Sequence, residues 1–67
     1  MTEYAICFDF PDQQDPWFAG NVKDALGFVW KLEWATRFES EEAAARTLEN
    51  GYGEGTRPFG CVVEIGQ

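Results

Sequence analysis

Histidine is absent from this 67-residue chain. Its absence removes His-based acid–base catalysis, Ser–His and Cys–His nucleophilic sites and His-ligated metal centres. Cysteine occurs only at Cys7 and Cys61. Two are too few for a small secreted disulfide scaffold, and at that spacing they make no zinc site by themselves. Both fall in apolar, strand-like runs, so a pair of buried free thiols is expected, with a facing arrangement across paired strands as the alternative. Bases are scarce: five against twelve acids, a formal net charge of −7. That balance argues against a nucleic-acid binder or a protein drawn to anionic membranes, since both need basic patches. No apolar run reaches the roughly 18 residues that a membrane helix needs. Met1-Thr2-Glu3-Tyr4 has neither a basic start nor a long apolar region. No secretory leader is therefore expected, and the cytoplasm is the expected location. No GK[ST] appears, and Gly51, Gly53 and Gly55 follow the expected helix instead of opening one. A phosphate-binding loop is thus missing too.

Aromatic side chains are what the sequence has in abundance: three Trp, two Tyr and six Phe, 16% of the residues. A single small domain, 1–67, buries only about 60% of its unfolded surface. Rings that remove roughly 150–250 Å² each fill such a core efficiently. A sharper reading sets part of that aromatic surface aside as a binding face or homodimer contact, where Trp, Tyr and Phe are enriched.

The clearest local signal is Phe38 to Tyr52. Ser40 is a good N-cap, and Glu41 and Glu42 follow where carboxylates meet the positive end of the helix dipole. Alanines at 43–45 favour the helix, and Glu42 and Arg46 stand in the favourable order for an i,i+4 pair. Asn50-Gly51 is expected to end it in the left-handed conformation of a C-cap. Ala44, Leu48 and Tyr52, flanked by Ala45, make a thin apolar stripe suited to lying close on a sheet.

Elsewhere the periodicity is that of strands. Tyr4 to Phe10 alternates with one strongly apolar face and stops at Pro11. Residues 12–16 read as a polar turn. Trp17 to Val22 is ambiguous: a loop or irregular strand is expected, and Asn21 heading a helical turn through Leu26 is the competing reading. Phe28, Trp30, Leu32, Trp34, Thr36 and Phe38 share one parity. Because strands average about five or six residues, a break near Leu32-Glu33 is expected, with short strands at Gly27–Lys31 and Ala35–Phe38. The glycine-bearing loop 51–58 is the best candidate for local mobility. Cys61 to Ile65 closes the chain as a strand, with Val62 implying that both faces are partly covered. The fold class expected is α+β: a mainly antiparallel sheet of three to four strands with one helix, about 40–50, packed on one face.

Four features of the second half recur together: Trp30, Ala35-Thr36-Arg37-Phe38, Ser40-Glu41-Glu42-Ala43 and Val62-Val63-Glu64-Ile65. In these the segment from Trp30 to Ile65 resembles small bacteriophage accessory proteins of unknown function, chiefly of actinobacterial phages. The motif is structural and carries over no functional residue. It implies a phage accessory protein that binds and disturbs a host protein, in the host cytoplasm.

No catalytic constellation is present, so no enzyme, cofactor or metal site is expected. Asp9, Asp12 and Asp15 form D-F-P-D-Q-Q-D, which lacks the alternate acids and central glycine of a calcium loop. Solvated turn acids are the default. The leading expectation is protein–protein binding through an aromatic patch, with Trp17, Phe18, Trp30, Trp34 and Tyr52 as candidate anchors. The partner is a host bacterial protein or a second copy of the chain. The alternative is an acidic mimic of nucleic acid that occupies a basic groove of a nucleic-acid-binding protein. Neither reading places this protein directly on nucleic acid or on a membrane.

Overall fold

Tyr4, Ile6 and Phe8 point to one side of a strand and Ala5 and Cys7 to the other, so this strand needs cover on both faces. It has it. A computed structural model, describing residues 2–23 and 25–65, places it inside a four-stranded antiparallel sheet. The strands are β1 (Glu3–Phe8), β2 (Trp17–Val22), β3 (Ala25–Val29) and β4 (Gly60–Ile65), in the spatial order β3-β2-β1-β4. The helix α1 (Glu41–Gly51) packs on β1 and β4. The fold is α+β, one helix on a four-stranded antiparallel sheet. No helix among the described residues is long and apolar enough to cross a membrane.

On the helix side, Ile6, Phe8, Ala19 and Ala44 are buried together, with Tyr4, Leu48, Tyr52 and Val62 packed against them. Phe8 is the centre of this layer. Its ring lies 5.1 Å from Phe28, 4.8 Å from Tyr52 and 5.9 Å from Phe10, centroid to centroid. Such pairs contribute about 0.5–1.5 kcal/mol beyond simple burial. Phe8 also stands opposite Gly60 in the ladder. A Cβ at Gly60 would meet that ring at 2.8 Å, so only glycine leaves the space the ring fills. On the other side, Ala5, Val29, Ala35 and Ile65 form a second buried cluster with Phe18 and Val63. Val62 and Val63 therefore face opposite layers, as two covered faces require.

The second layer exists because residues 36–38 return to the sheet. β1 and β2 pair only at Cys7–Phe18 and Phe8–Trp17, and then part. Into the gap comes the later chain. Thr36 N–H donates to Ala19 O at 2.9 Å, and Tyr4 and Phe38 exchange backbone hydrogen bonds of 3.0 and 2.8 Å. To get there the chain crosses Gly20, where an added Cβ would lie 3.1 Å from the Trp34 carbonyl oxygen and 2.9 Å from both Val29 methyls.

The helix start is as expected: Ser40 Oγ accepts from Ala43 N–H at 3.1 Å, and Glu42 and Arg46 approach to 3.6 Å. Several local expectations need correction. The first strand runs Glu3–Phe8, not to Phe10. Phe10 instead gives its carbonyl to Gln13 N–H at 3.1 Å, in a turn that Pro11 initiates. Residues 17–22 are a regular strand, not a loop. Val22 pairs with Ala25, leaving a two-residue connection in which Lys23 takes φ 51°, the left-handed region such hairpins demand. The competing helical turn is displaced, and its residue Asp24 lies outside the described residues. The strand expected at Gly27–Lys31 runs Ala25–Val29. The break near Leu32 is a 3-10 turn at Leu32–Trp34, and the strand expected at Ala35–Phe38 shrinks to the single bridge from Phe38 to Tyr4. The helix end also differs. Gly51 stays within the helix and Tyr52 leaves it extended at φ −128°. The reason is an anchor: Tyr52 Oη donates to Gly27 O at 2.6 Å and draws the chain toward β3. Loop 51–58 is organised by hydrogen bonds, with Thr56 and Arg57 N–H both donating to Gly53 O.

The cysteines are not a buried pair. Cys7 is half-buried and Cys61 exposed, and the two are register partners on β1 and β4. The Cys7 thiol has its pKa raised by burial first, then by Cys61 and Asp9. Asp9 N–H donates to Phe59 O, so Cys7, two residues earlier, also turns its backbone groups toward β4. The cysteines thus form a hydrogen-bonded pair, with Cα atoms about 5.5 Å apart. That separation suits a disulfide.

Two predictions come from this packing. Gly20→Ala should lower stability by about 1–3 kcal/mol in urea unfolding, the usual cost of overpacking. An unchanged midpoint would mean the crossing chain is not seated on β2. Second, glutathione disulfide should oxidise the thiol pair: Cys61 thiolate forms the mixed disulfide, Cys7 then displaces glutathione, and two glutathione thiols leave. Closing a loop of about 54 residues should add about 4 kcal/mol in the chain-entropy account. The melting temperature should rise in the wild type and not in Cys61→Ser. Persistence of both free thiols in excess oxidant would refute the pairing.

Candidate functional site

The β2–β3 ladder ends at the Phe18–Val29 pair, and the next residue on each side is Trp17 and Trp30. Their rings meet edge to face, 5.8 Å apart with planes at 80°. Trp30 in turn meets Trp34 at 5.2 Å and 77°. The 3-10 turn at Leu32–Trp34 places Trp34 there, and Lys31 Nζ lies 5.0 Å from the Trp34 ring centroid, a cation–π contact. A strip of three tryptophans results. Trp17 is half-buried, while Trp30 is 60% and Trp34 49% exposed. Leu32 is also exposed within the same stretch.

Beside the strip lies a cleft of about 480 Å³, formed by turn residues 12–16 with Trp17 and Trp30. The turn is held at two points: Gln13 N–H donates to Phe10 O, and Trp17 Nε1–H donates to Gln13 Oε1 at 3.2 Å. Asp12 and Asp15 are the charged residues of the lining. Among the described residues the ion pairs are Arg37–Glu3 and Arg46–Glu42, so neither aspartate is neutralised by a base. Among the described residues no three His, Cys, Asp or Glu side chains come together to hold a metal ion.

Of the five candidate anchors, Trp17, Trp30 and Trp34 are brought together. The other two are used elsewhere. Phe18 packs with Ala5 and Val29 in the layer away from the helix. Tyr52 packs on Phe8 and Phe28 and hydrogen-bonds Gly27. Asp12, Asp15 and Gln13 became part of the site through the fold. Their one sequence signal was position, a polar turn running directly into Trp17.

No family model matches the chain, and comparison with curated proteins and with solved structures gives no match either.

Burial pushes the Tyr52 phenol up to about 12. An unfolded tyrosine titrates near 10, so the neutral phenol is favoured in the fold. The stability it contributes is fully present below about pH 10 and is lost as pH rises through about 12. Tyr52→Phe should therefore cost about 1 kcal/mol at neutral pH, by leaving Gly27 O without its donor. It should also flatten the loss of stability between about pH 10 and 12. Unfolding midpoints measured across that range check both, and equal alkaline slopes for wild type and variant would exclude Tyr52 as the titrating group.

Proposed function

We propose that this protein acts by docking onto another protein through the Trp17–Trp30–Trp34 strip, without catalysing a reaction. One observation carries the reading. A chain of 67 residues has little apolar surface to spare, yet leaves Trp30 60% and Trp34 49% exposed. Tryptophan is the residue most enriched among those that dominate binding energy, because a large rigid ring is immobilised at low entropic cost. Here edge-to-face packing already restrains the rings, so ordering them on binding costs little more. The non-catalytic part of the reading rests on the sequence, which offers no histidine and no nucleophile with a base. Residues 30–65 and their resemblance to phage accessory proteins make a host protein in the host cytoplasm the proposed target.

The test uses the whole chain as bait against host lysate, at low and high salt, beside the double variant Trp30→Ala/Trp34→Ala. Size-exclusion chromatography with light scattering comes first. The expected result is a monomer whose captured partner is weakened about tenfold or more in the double variant, with little change in salt. Equal capture by both chains would remove the strip as the docking face. A salt-insensitive dimer that the double variant dissociates would assign the strip to self-association. Capture that disappears at high salt but survives the double variant would favour the acidic mimic.

A further inference from the structure

We propose that the cleft between turn 12–16 and the Trp17–Trp30 pair seats a lysine or arginine side chain of the partner protein. The cation would lie against the two indoles and be paired with Asp12 and Asp15. This rests on the docking reading above and names the chemistry of the occupant.

Charge is the first argument. Both charged residues of the cleft are acidic, neither is in an ion pair among the described residues, and the chain carries −7 overall. An anion is disfavoured there, and a cation is the complement. Ring geometry is the second. Trp17 and Trp30 stand at 80° to one another, so they form a corner and not a flat shelf. A corner of aromatic surfaces surrounds a compact positive charge, the arrangement used to hold ammonium groups. A sugar ring, in contrast, stacks on one open face. The third argument is that the same strip already holds a cation at its other end, where Lys31 Nζ sits over Trp34. Trp34 is thereby occupied from within the chain, and the Trp17–Trp30 end is the part left for a second base. Space and stiffness agree. About 480 Å³ admits a long side chain together with its neighbours in sequence. The Trp17–Gln13 hydrogen bond and the Phe10–Gln13 turn hold the carboxylate-bearing segment beside the rings.

The experiment titrates the full ¹⁵N-labelled chain with a blocked Gly-Lys-Gly-Arg-Gly peptide, reading the three indole N–H resonances. A matched Gly-Glu-Gly-Gln-Gly peptide and a short neutral oligosaccharide are the comparison probes. The expected result is saturable movement of the Trp17 and Trp30 signals with the basic peptide alone. Asp12→Asn/Asp15→Asn should weaken binding about tenfold with the indole spectrum otherwise unchanged, and Trp30→Ala about fivefold. Lys31→Met should leave the affinity intact. No movement with the basic peptide, equal movement with the acidic one, movement with the oligosaccharide instead, or full affinity in the double asparagine variant would each overturn the proposal. The docking reading is judged separately, by capture with the Trp30→Ala/Trp34→Ala chain. Capture lost there but kept in Asp12→Asn/Asp15→Asn would sink the cation and leave the docking face standing.

Discussion

Backbone hydrogen bonding at the parted end of β1 and β2 is the constraint on which the rest of the structure depends. After two ladder pairs the strands separate, so Ala19 O and both backbone groups of Tyr4 lose their natural partners. Leaving such groups unsatisfied costs about 1–3 kcal/mol each where water is excluded. Thr36 and Phe38 supply what is missing. For them to do so, the chain beyond Val29 has to cross back over β2. It turns at Leu32–Trp34, passes its carbonyl over Gly20 and lowers Ala35 into the second buried layer. Trp34, which ends that turn, keeps its ring exposed and in edge-to-face contact with Trp30. The turn that starts this backbone repair is thus also what brings Trp34 to the strip.

A second dependence runs through Phe8. The helix brings alanine where most sheet-packed helices bring leucine, so its backbone comes close but its side chains fill little. Phe8, wholly buried, makes up the volume, with Phe10, Phe28 and Tyr52 around it. That ring needs room above β4, and Gly60 provides it. The thin stripe of the helix and the aromatic weight of the strands are two halves of one packing solution.

This division explains what could be read in advance. The helix, its Ser40 cap, the strands at residues 4–8 and 61–65, and the α+β class were legible because caps and period-two alternation are local. β2 was not. Its residues alternate Trp17 and Ala19 against Phe18 and Gly20, mixing large and small on both faces. Its turn at Lys23 carries none of the Asn-Gly or Asp-Gly chemistry that marks a hairpin. The crossing chain was misleading for another reason. Phe28 to Phe38 shows an apolar parity interrupted only by Thr36, but Trp30, Leu32 and Trp34 in its middle are exposed. Periodicity reports an apolar face without saying what covers it. The three tryptophans were named from composition, while their gathering depends on the β2–β3 register. Phe18 went into the packing because its strand position faces inward, and Tyr52 because the chain leaving the helix carries it onto Phe8 and Gly27 O, neither of which ring chemistry alone reveals.

Charge and aromaticity act over different distances on the proposed docking face. At physiological ionic strength screening takes hold over about 8 Å. Acids remote from the strip, such as those at the start of the helix, therefore bias encounter with a basic surface and do little once the complex forms. Asp12 and Asp15 line the same cleft as Trp17 and Trp30, so in the proposed complex they would bear on how long it lasts. An acidic mimic would draw on all the acids together and need no tryptophan. On the proposed reading, a chain that commits its scarce apolar surface to two exposed indoles, beside two carboxylates outside any ion pair among the described residues, is organised for a short-range contact with one cationic group. The diffuse charge is left to guide the approach.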